Sequence, residues 1–355
     1  MPGKKNIPPP FSCQSTPQVP ELLNALGCTL AITTFQAGKV IFISAKNDHE
    51  IIQLPRTFHK PMGLAVKEDK LALAAKDEVI LFKGSEGLAH SYPKKPGVYD
   101  MMYIPTAIYQ SGEIDLHDVA WIGNDVYAVN TSFSCLVKLD PYHHFIPVWQ
   151  PPFISALASE DRCHLNGMAV EGDKIRYVTA FGQGDTPRSW KDHIPGSGII
   201  MDIEHNEVLA QDLAMPHSPR IYDGALFVLL SATGELIQVD RENGKPVTIF
   251  QKDGFMRGLA KYEDYFFIGH SKLRKNSSSF AKLPFSDKAV YSGISIVHAS
   301  TGAWVGEIRY QASVDEIYDV QVIPGYARAN VLNTLDPGYK SALITPNSTY
   351  WGRIE

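Results

Sequence analysis

Six short segments of this chain share one pattern, a loop ending in a brief apolar strand signature: His59–Val66, His117–Trp121, His164–Val170, His217–Ile221, Met256–Ala260 and Glu316–Val322. Their equivalent positions are Gly63, Asp118, Gly167, Arg220, Gly258 and Asp319. The spacing scatters around about fifty residues, the period of a repeat holding four strands per propeller blade. No other feature constrains the fold as strongly. A propeller sets the start of every repeat around one axis, so residues far apart in sequence meet at one mouth of a central channel.

The runs between these starts support that reading. One repeat reads Val119–Trp121, Asp125–Asn130, Cys135–Asp140 and Phe145–Trp149, β-rich stretches separated by turn residues such as Gly123-Asn-Asp125. At the N-terminus, Thr29–Phe35, Lys39–Ser44 and Glu50–Leu54 lack a leading strand. At the other end, Asp319–Gly325 is a leading strand with nothing strand-like after it. Pairing the two completes one blade and removes an open sheet edge. The expected architecture is all-β: a six-bladed β-propeller over residues 26–326, closed by pairing of N-terminal and C-terminal strands. A Pro-rich, extended or disordered tail is expected over 1–25, with a short helical turn near Glu21–Gly27, and an extension over 327–355. Two insertions, 182–198 and 272–292, interrupt the rhythm. In propellers such insertions gather on one face and often cover a site.

Composition narrows the function classes. With 355 residues, 44% hydrophobic and a net charge of -5, the chain has ample core and no basic excess. That excludes a typical nucleic-acid binder and a polybasic membrane-surface protein. No run approaches a membrane span, and the N-terminal lysines precede no apolar signal region. Cys13, Cys28, Cys135 and Cys163 lie far apart without zinc-type spacing, which reads as free thiols in a reducing cytoplasm. There is no phosphate-binding glycine loop, no Gly-x-Ser-x-Gly elbow and no His-Glu-x-x-His helix.

Aligning the repeats gathers chemistry at one mouth. His117, His164 and His217, with Glu316, are candidate ligands for a divalent transition metal (iron, copper or zinc), since imidazoles with a carboxylate suit such ions. Arg220 and Arg257 offer planar forks for a carboxylate or phosphate, with Asn166 and Lys272 as further substrate contacts. Asp118, Asp319 and Tyr318 are candidate acids or bases. Trp190, in the first insertion, is a candidate lid residue. The expectation is a metal-dependent enzyme acting oxidatively or hydrolytically on a small anionic molecule or peptide. A non-catalytic scaffold that binds a peptide or glycan is the main alternative.

Several motifs are familiar. Asn130-Thr-Ser-Phe-Ser-Cys-Leu136, Met215-Pro-His-Ser-Pro-Arg220, Gly254-Phe-Met-Arg-Gly-Leu-Ala260 and Asp319-Val-Gln-Val-Ile-Pro-Gly325 resemble a bacterial family of conserved hypothetical proteins, a domain of unknown function. The resemblance spans roughly residues 25–325 and implies a propeller-like β fold without an assigned chemistry. Leu165-Asn-Gly-Met-Ala-Val170 is more loosely similar to the gluconolactonase and senescence-marker propellers. That likeness implies a calcium-dependent, lactonase-like hydrolase, although those sites use Glu, Asn and Asp where this chain carries histidines. Iron-binding propeller oxygenases, with several axial histidines, are similar in fold and ligand type only.

Overall fold

The computed structural model describes residues 8–273, Ala289 and residues 291–353. Six antiparallel four-stranded meanders form the body. Each inner strand packs against the next, and the sixth packs against the first, so the six sheets form a closed six-bladed β-propeller.

The inner strands, from blade one to blade six, are Asp319–Ile323, Leu64–Lys67, Leu116–Ile122, Leu165–Glu171, Pro216–Tyr222 and Phe255–Tyr262. Blade one is built from both ends of the propeller sequence. Its inner strand pairs antiparallel with Thr29–Thr34, with Thr29 opposite Ile323 and Thr33 opposite Asp319. This is the closure expected from the missing N-terminal leading strand. Alternation of side chains puts Leu30 and Ile32 into one inter-blade core with Val320 and Val322, while Ala31 and Ile323 join the core beside blade two. Further clusters likewise join neighbouring blades, as Val129 and Leu136 of blade three pack with Met168 and Val178 of blade four, while another packs Met102 and Ile104 of blade two against Leu332 and Ala342 of the C-terminal extension.

Two segments differ from expectation. The helical turn expected near Glu21–Gly27 is longer and starts earlier, in the expected tail: Gln18–Leu26 is a helix that buries Val19 and Leu23. It ends at Gly27, whose left-handed conformation suits a residue without Cβ. Just before it, Cys13–Ser15 adds a fifth strand to the outer edge of blade six, opposite Ile308–Tyr310. The region after Ile323 is not free of strands. Ala329–Val331 pairs in parallel with Met101–Tyr103 as a fifth strand of blade two. A hairpin of Ala342–Ile344 and Thr349–Trp351 follows, and Trp351 packs on Tyr92 at 5.4 Å between ring centroids. Both additions cover sheet edges that would otherwise expose unpaired backbone groups. All four cysteines are free thiols. Among the described residues, no helix is long and apolar enough to cross a membrane.

Candidate functional site

The six register positions alternate around the ring. Asp319, Asp118 and Arg220 stand on blades one, three and five; Gly63, Gly167 and Gly258 stand on blades two, four and six. The glycines are required by close approach. A Cβ on Gly63 would lie 2.9 Å from the Asp118 Cα. One on Gly258, whose φ is +81°, would lie 2.6 Å from the Val320 nitrogen. At both positions the atoms in the way are backbone of the neighbouring inner strand, and at Gly167 the nearest is Pro219 Cδ at 2.4 Å.

These charged residues brace the channel and do not line the cavity described below. Arg220 donates from Nη1 to Asp118 Oδ2 at 2.8 Å and from Nη2 to Asp118 Oδ1 at 3.1 Å. Its Nη1 also reaches the Met168 carbonyl at 3.0 Å. Asp118 accepts the Met168 N–H of blade four at 3.0 Å, and Asp319 accepts the Leu64 N–H of blade two at 2.9 Å. Two carboxylates share one guanidinium, since Arg220 Nη2 lies 4.0 Å from Asp319. Burial raises the Asp319 carboxyl above its ordinary value against the pull of Arg220, and Asp118 adds to the rise. The expected substrate role of Arg220 and the acid–base roles of Asp118 and Asp319 therefore give way to a buried ion-pair network. Asn166 is also committed to structure, accepting from Thr179 Oγ1 at 2.7 Å and donating to the His164 carbonyl at 3.2 Å.

A cavity of ≈ 280 Å³ opens at one mouth and draws residues from all six blades. Blade one gives Phe35, Glu316 and Tyr318; blade two gives Met62; blade three gives Asp115 and His117. Blade four gives His164, Phe181 and Trp190; blade five gives Met215 and His217; blade six gives Phe255, Arg257, Ser271 and the start of the second insertion, Lys272 and Leu273. The cavity thus holds His117, His164, His217, Glu316, Arg257 and Tyr318 from the sequence register, and Lys272 from the start of the second insertion. Lys272 is held by Asp315 at 2.7 Å. Trp190, from the first insertion, is packed rather than open to solvent. Its ring lies 4.3 Å from His164, and Nε1 donates to the Asp161 carbonyl at 3.1 Å. Residues 274–288 and 290 of the second insertion lie outside the described residues.

The three histidines are anchored in the same way. His117 Nδ1 sits 2.8 Å from Thr131 Oγ1 and 3.1 Å from the Asp115 carbonyl. Thr131 spends its only hydrogen on the Leu165 carbonyl at 2.5 Å, so the proton between Thr131 and His117 belongs to Nδ1. Blade five repeats this. His217 Nδ1 sits 2.6 Å from Ser231 Oγ, which donates to the Met256 carbonyl at 2.5 Å. His164 Nδ1 faces the Asp161 carboxylate at 3.1 Å. Burial pushes His117 and His217 well below the ordinary histidine value, with Arg257 and His164 adding repulsion. Both are therefore neutral imidazoles at neutral pH, with Nδ1–H engaged and the Nε2 lone pair left as the open acceptor.

The latch hydroxyls are the residues that the sequence reading missed. Thr33 on the Met62 carbonyl and Ser271 on the Ile317 carbonyl repeat the contact without a histidine. A Ser or Thr closing the second strand was the available signal. Around the rings, His117 and His164 meet edge to face at 5.0 Å, and Phe181 packs on both His164 and His217 at 4.5 and 5.1 Å. Among the described residues, no three His, Cys, Asp or Glu side chains form a set able to hold a metal.

Arg257 supplies the cavity's other character. Its guanidinium lies 3.4 Å above the Tyr318 ring centre. Among the described residues, Arg257 Nη2 and the Tyr318 hydroxyl are buried without a hydrogen-bond partner. An unsatisfied buried polar group costs about 1–3 kcal/mol, a cost that an incoming acceptor would relieve. Burial also raises the Tyr318 hydroxyl far above its ordinary value, so it is a neutral phenol and a donor.

Fold and mouth define the class: a six-bladed propeller with one histidine- and aromatic-lined cavity on its axis. The chain belongs to the family described as a domain of unknown function (DUF4915), whose model matches residues 17–332. No curated protein matches it. Among solved structures, it is similar to a protein of unknown function from Bacteroides caccae, at 9% identity and TM-score 0.52, covering 84% of this chain and 99% of that one. A chain in the crystal structure of a nidogen/laminin complex is similar at 9% identity and TM-score 0.51, again over 84% and 99%. At this identity the likeness concerns the fold alone.

Proposed function

We propose that the cavity is the active site of a metal-dependent enzyme acting on a small carboxylate-bearing substrate. His117, His164 and His217 would hold a divalent transition metal, with Glu316 beside them, and Arg257 would bind the substrate's carboxylate. The observation that carries this reading is the shared anchoring of the three Nδ1 atoms by Thr131, Asp161 and Ser231. Metal-binding histidines need this support, because the second hydrogen bond fixes the tautomer and aims Nε2. As they stand, the three rings do not converge as a ligand set, and His117 and His164 are the pair in ring contact. Bound there, a metal would act as a Lewis acid, as a source of hydroxide, or as a redox centre.

The test is metal content. Protein purified without an affinity tag or chelator should retain close to one iron, copper or zinc per chain by elemental analysis. His164→Ala with His217→Ala should abolish that retention. A wild-type protein that takes up no metal in equilibrium dialysis against each ion would overturn the metal reading.

A second reading is favoured by that same lack of convergence: a metal-free cavity that binds its acid without transforming it. In that case, carboxylate binding would depend on Arg257, and no metal would copurify. A calcium-dependent hydrolase is less well supported, because the cavity presents imidazole nitrogens where a hard cation would want oxygen ligands. Lactone hydrolysis lost on chelation and restored by calcium would favour it.

A further inference from the structure

We propose that the acid taken by this cavity is an aryl-bearing monocarboxylate, one aromatic ring joined to a carboxylate by a short chain. The inference rests on reading the cavity as a ligand site and is indifferent to whether a metal is bound. Three observations converge on it.

The first is a single vacant anion seat. The mouth region holds two arginines, but Arg220 is consumed by Asp118. Among the described residues, Arg257 has no carboxylate partner and keeps a buried Nη2 without an acceptor. Its plane is fixed against Tyr318, whose own hydroxyl is buried and unpartnered. Both residues line the cavity, and a planar guanidinium suits a carboxylate.

The second is the wall. Phe35, Phe181, Trp190 and Phe255 give rings to the cavity lining, with Met62 and Met215. Rings at a wall favour another ring in tilted or offset contact, and thioethers pack well on aromatic edges. Polar groups, His117, His164, His217, Asp115, Glu316 and Ser271, share this lining, so the rings select for an aryl group by contact rather than by excluding hydroxyls.

The third is size. A cavity of ≈ 280 Å³ is at the lower end of small-molecule pockets, which run from about 300 to 1,000 Å³. It has room for one ring and a short acid chain.

The experiment uses full-length protein stripped with chelator, titrated calorimetrically with 3-phenylpropionate, 3-phenylpropan-1-ol and hexanoate. The aryl acid should bind, with the alcohol and the aliphatic acid each weaker by roughly tenfold or more. Arg257→Gln should weaken the aryl acid to the level of the alcohol. Phe35→Ala should weaken the aryl acid while leaving hexanoate unchanged, which covers the case in which the arginine variant fails to fold. Equal binding of acid and alcohol, equal binding of aryl and aliphatic acids, or no binding of any probe would each overturn the inference. Because the protein is metal-free, these outcomes are independent of the metal-content test. Metal retained without aryl-acid binding sinks this inference alone, and aryl-acid binding without metal retention sinks the metal reading alone.

Discussion

At the scale of single residues, a hydroxyl at the end of a blade's second strand decides which imidazole nitrogen faces the cavity. Thr131 and Ser231 each bridge a histidine to a carbonyl of the next blade's inner strand. Replacing them together, Thr131→Val with Ser231→Ala, is expected to weaken metal uptake by about 10–100-fold, the usual effect of removing such a support. Competition with a chromophoric chelator measures it. Thr33→Val is the control, since Thr33 makes the same latch with no histidine attached; it should cost stability alone. Arg220 makes the opposite case. Arg220→Met would strand Asp118 and Asp319 in the channel, a loss of about 3–5 kcal/mol for a broken buried pair. Urea denaturation should show it, and wild-type stability in that variant would contradict the bracing role. The sequence register correctly placed Arg220 and Arg257 at inner-strand starts. It could not distinguish the paired one from the free one, because the Asp118 partner of Arg220 lies 102 residues away.

At the scale of elements, the inner strand Asp319–Ile323 holds the ring shut. Truncation after Tyr318 would leave Thr29–Thr34 as a bare edge and uncover Leu30 and Ile32. The expected result is loss of soluble monomer on size exclusion. Truncation after Leu332 keeps the closing strand and the parallel Ala329–Val331 strand, and sacrifices the packing of Trp351 on Tyr92. It should stay monomeric with a lowered melting temperature. A well-folded protein lacking residues from 319 onward would refute closure as the source of stability. Strand closure was legible because a blade's missing and surplus strands are both visible in the repeat count. The edge-covering strands Cys13–Ser15 and Ala329–Val331 were not legible. Three residues carry too little pattern, and each forms only because a neighbouring edge is already there to pair with.

At the scale of the whole molecule, buried histidines make the propeller sensitive to acid. Burial lowers His270 to about 3, with Lys252 adding to the effect, and it also lowers His117 and His217. The unfolded chain binds protons on these residues from about pH 6.5 downward, while the folded one does not. Their contribution is therefore intact above that value and is lost as pH falls towards the folded-state values, at about 1.4 kcal/mol per pH unit for each histidine. Asp319 works in the other direction: its raised carboxyl takes up a proton on folding as pH falls, which offsets part of one histidine's loss. Thermal melts of the metal-free protein between about pH 7.5 and 5 should therefore show stability falling below about 6.5. His270→Phe should flatten the slope, and an unchanged slope in that variant would remove His270 from the account. By itself, the sequence determined the repeat, the six-bladed ring and the approximate position of its histidine-bearing mouth, because each blade is a local meander whose strands and turns are written in consecutive residues. The tertiary structure alone decided which arginine is occupied, which imidazole nitrogen is open, and that Phe35, Phe181, Trp190 and Phe255 line one cavity. Those facts depend on contacts between blades, where partners lie tens to hundreds of residues apart and no local pattern records them.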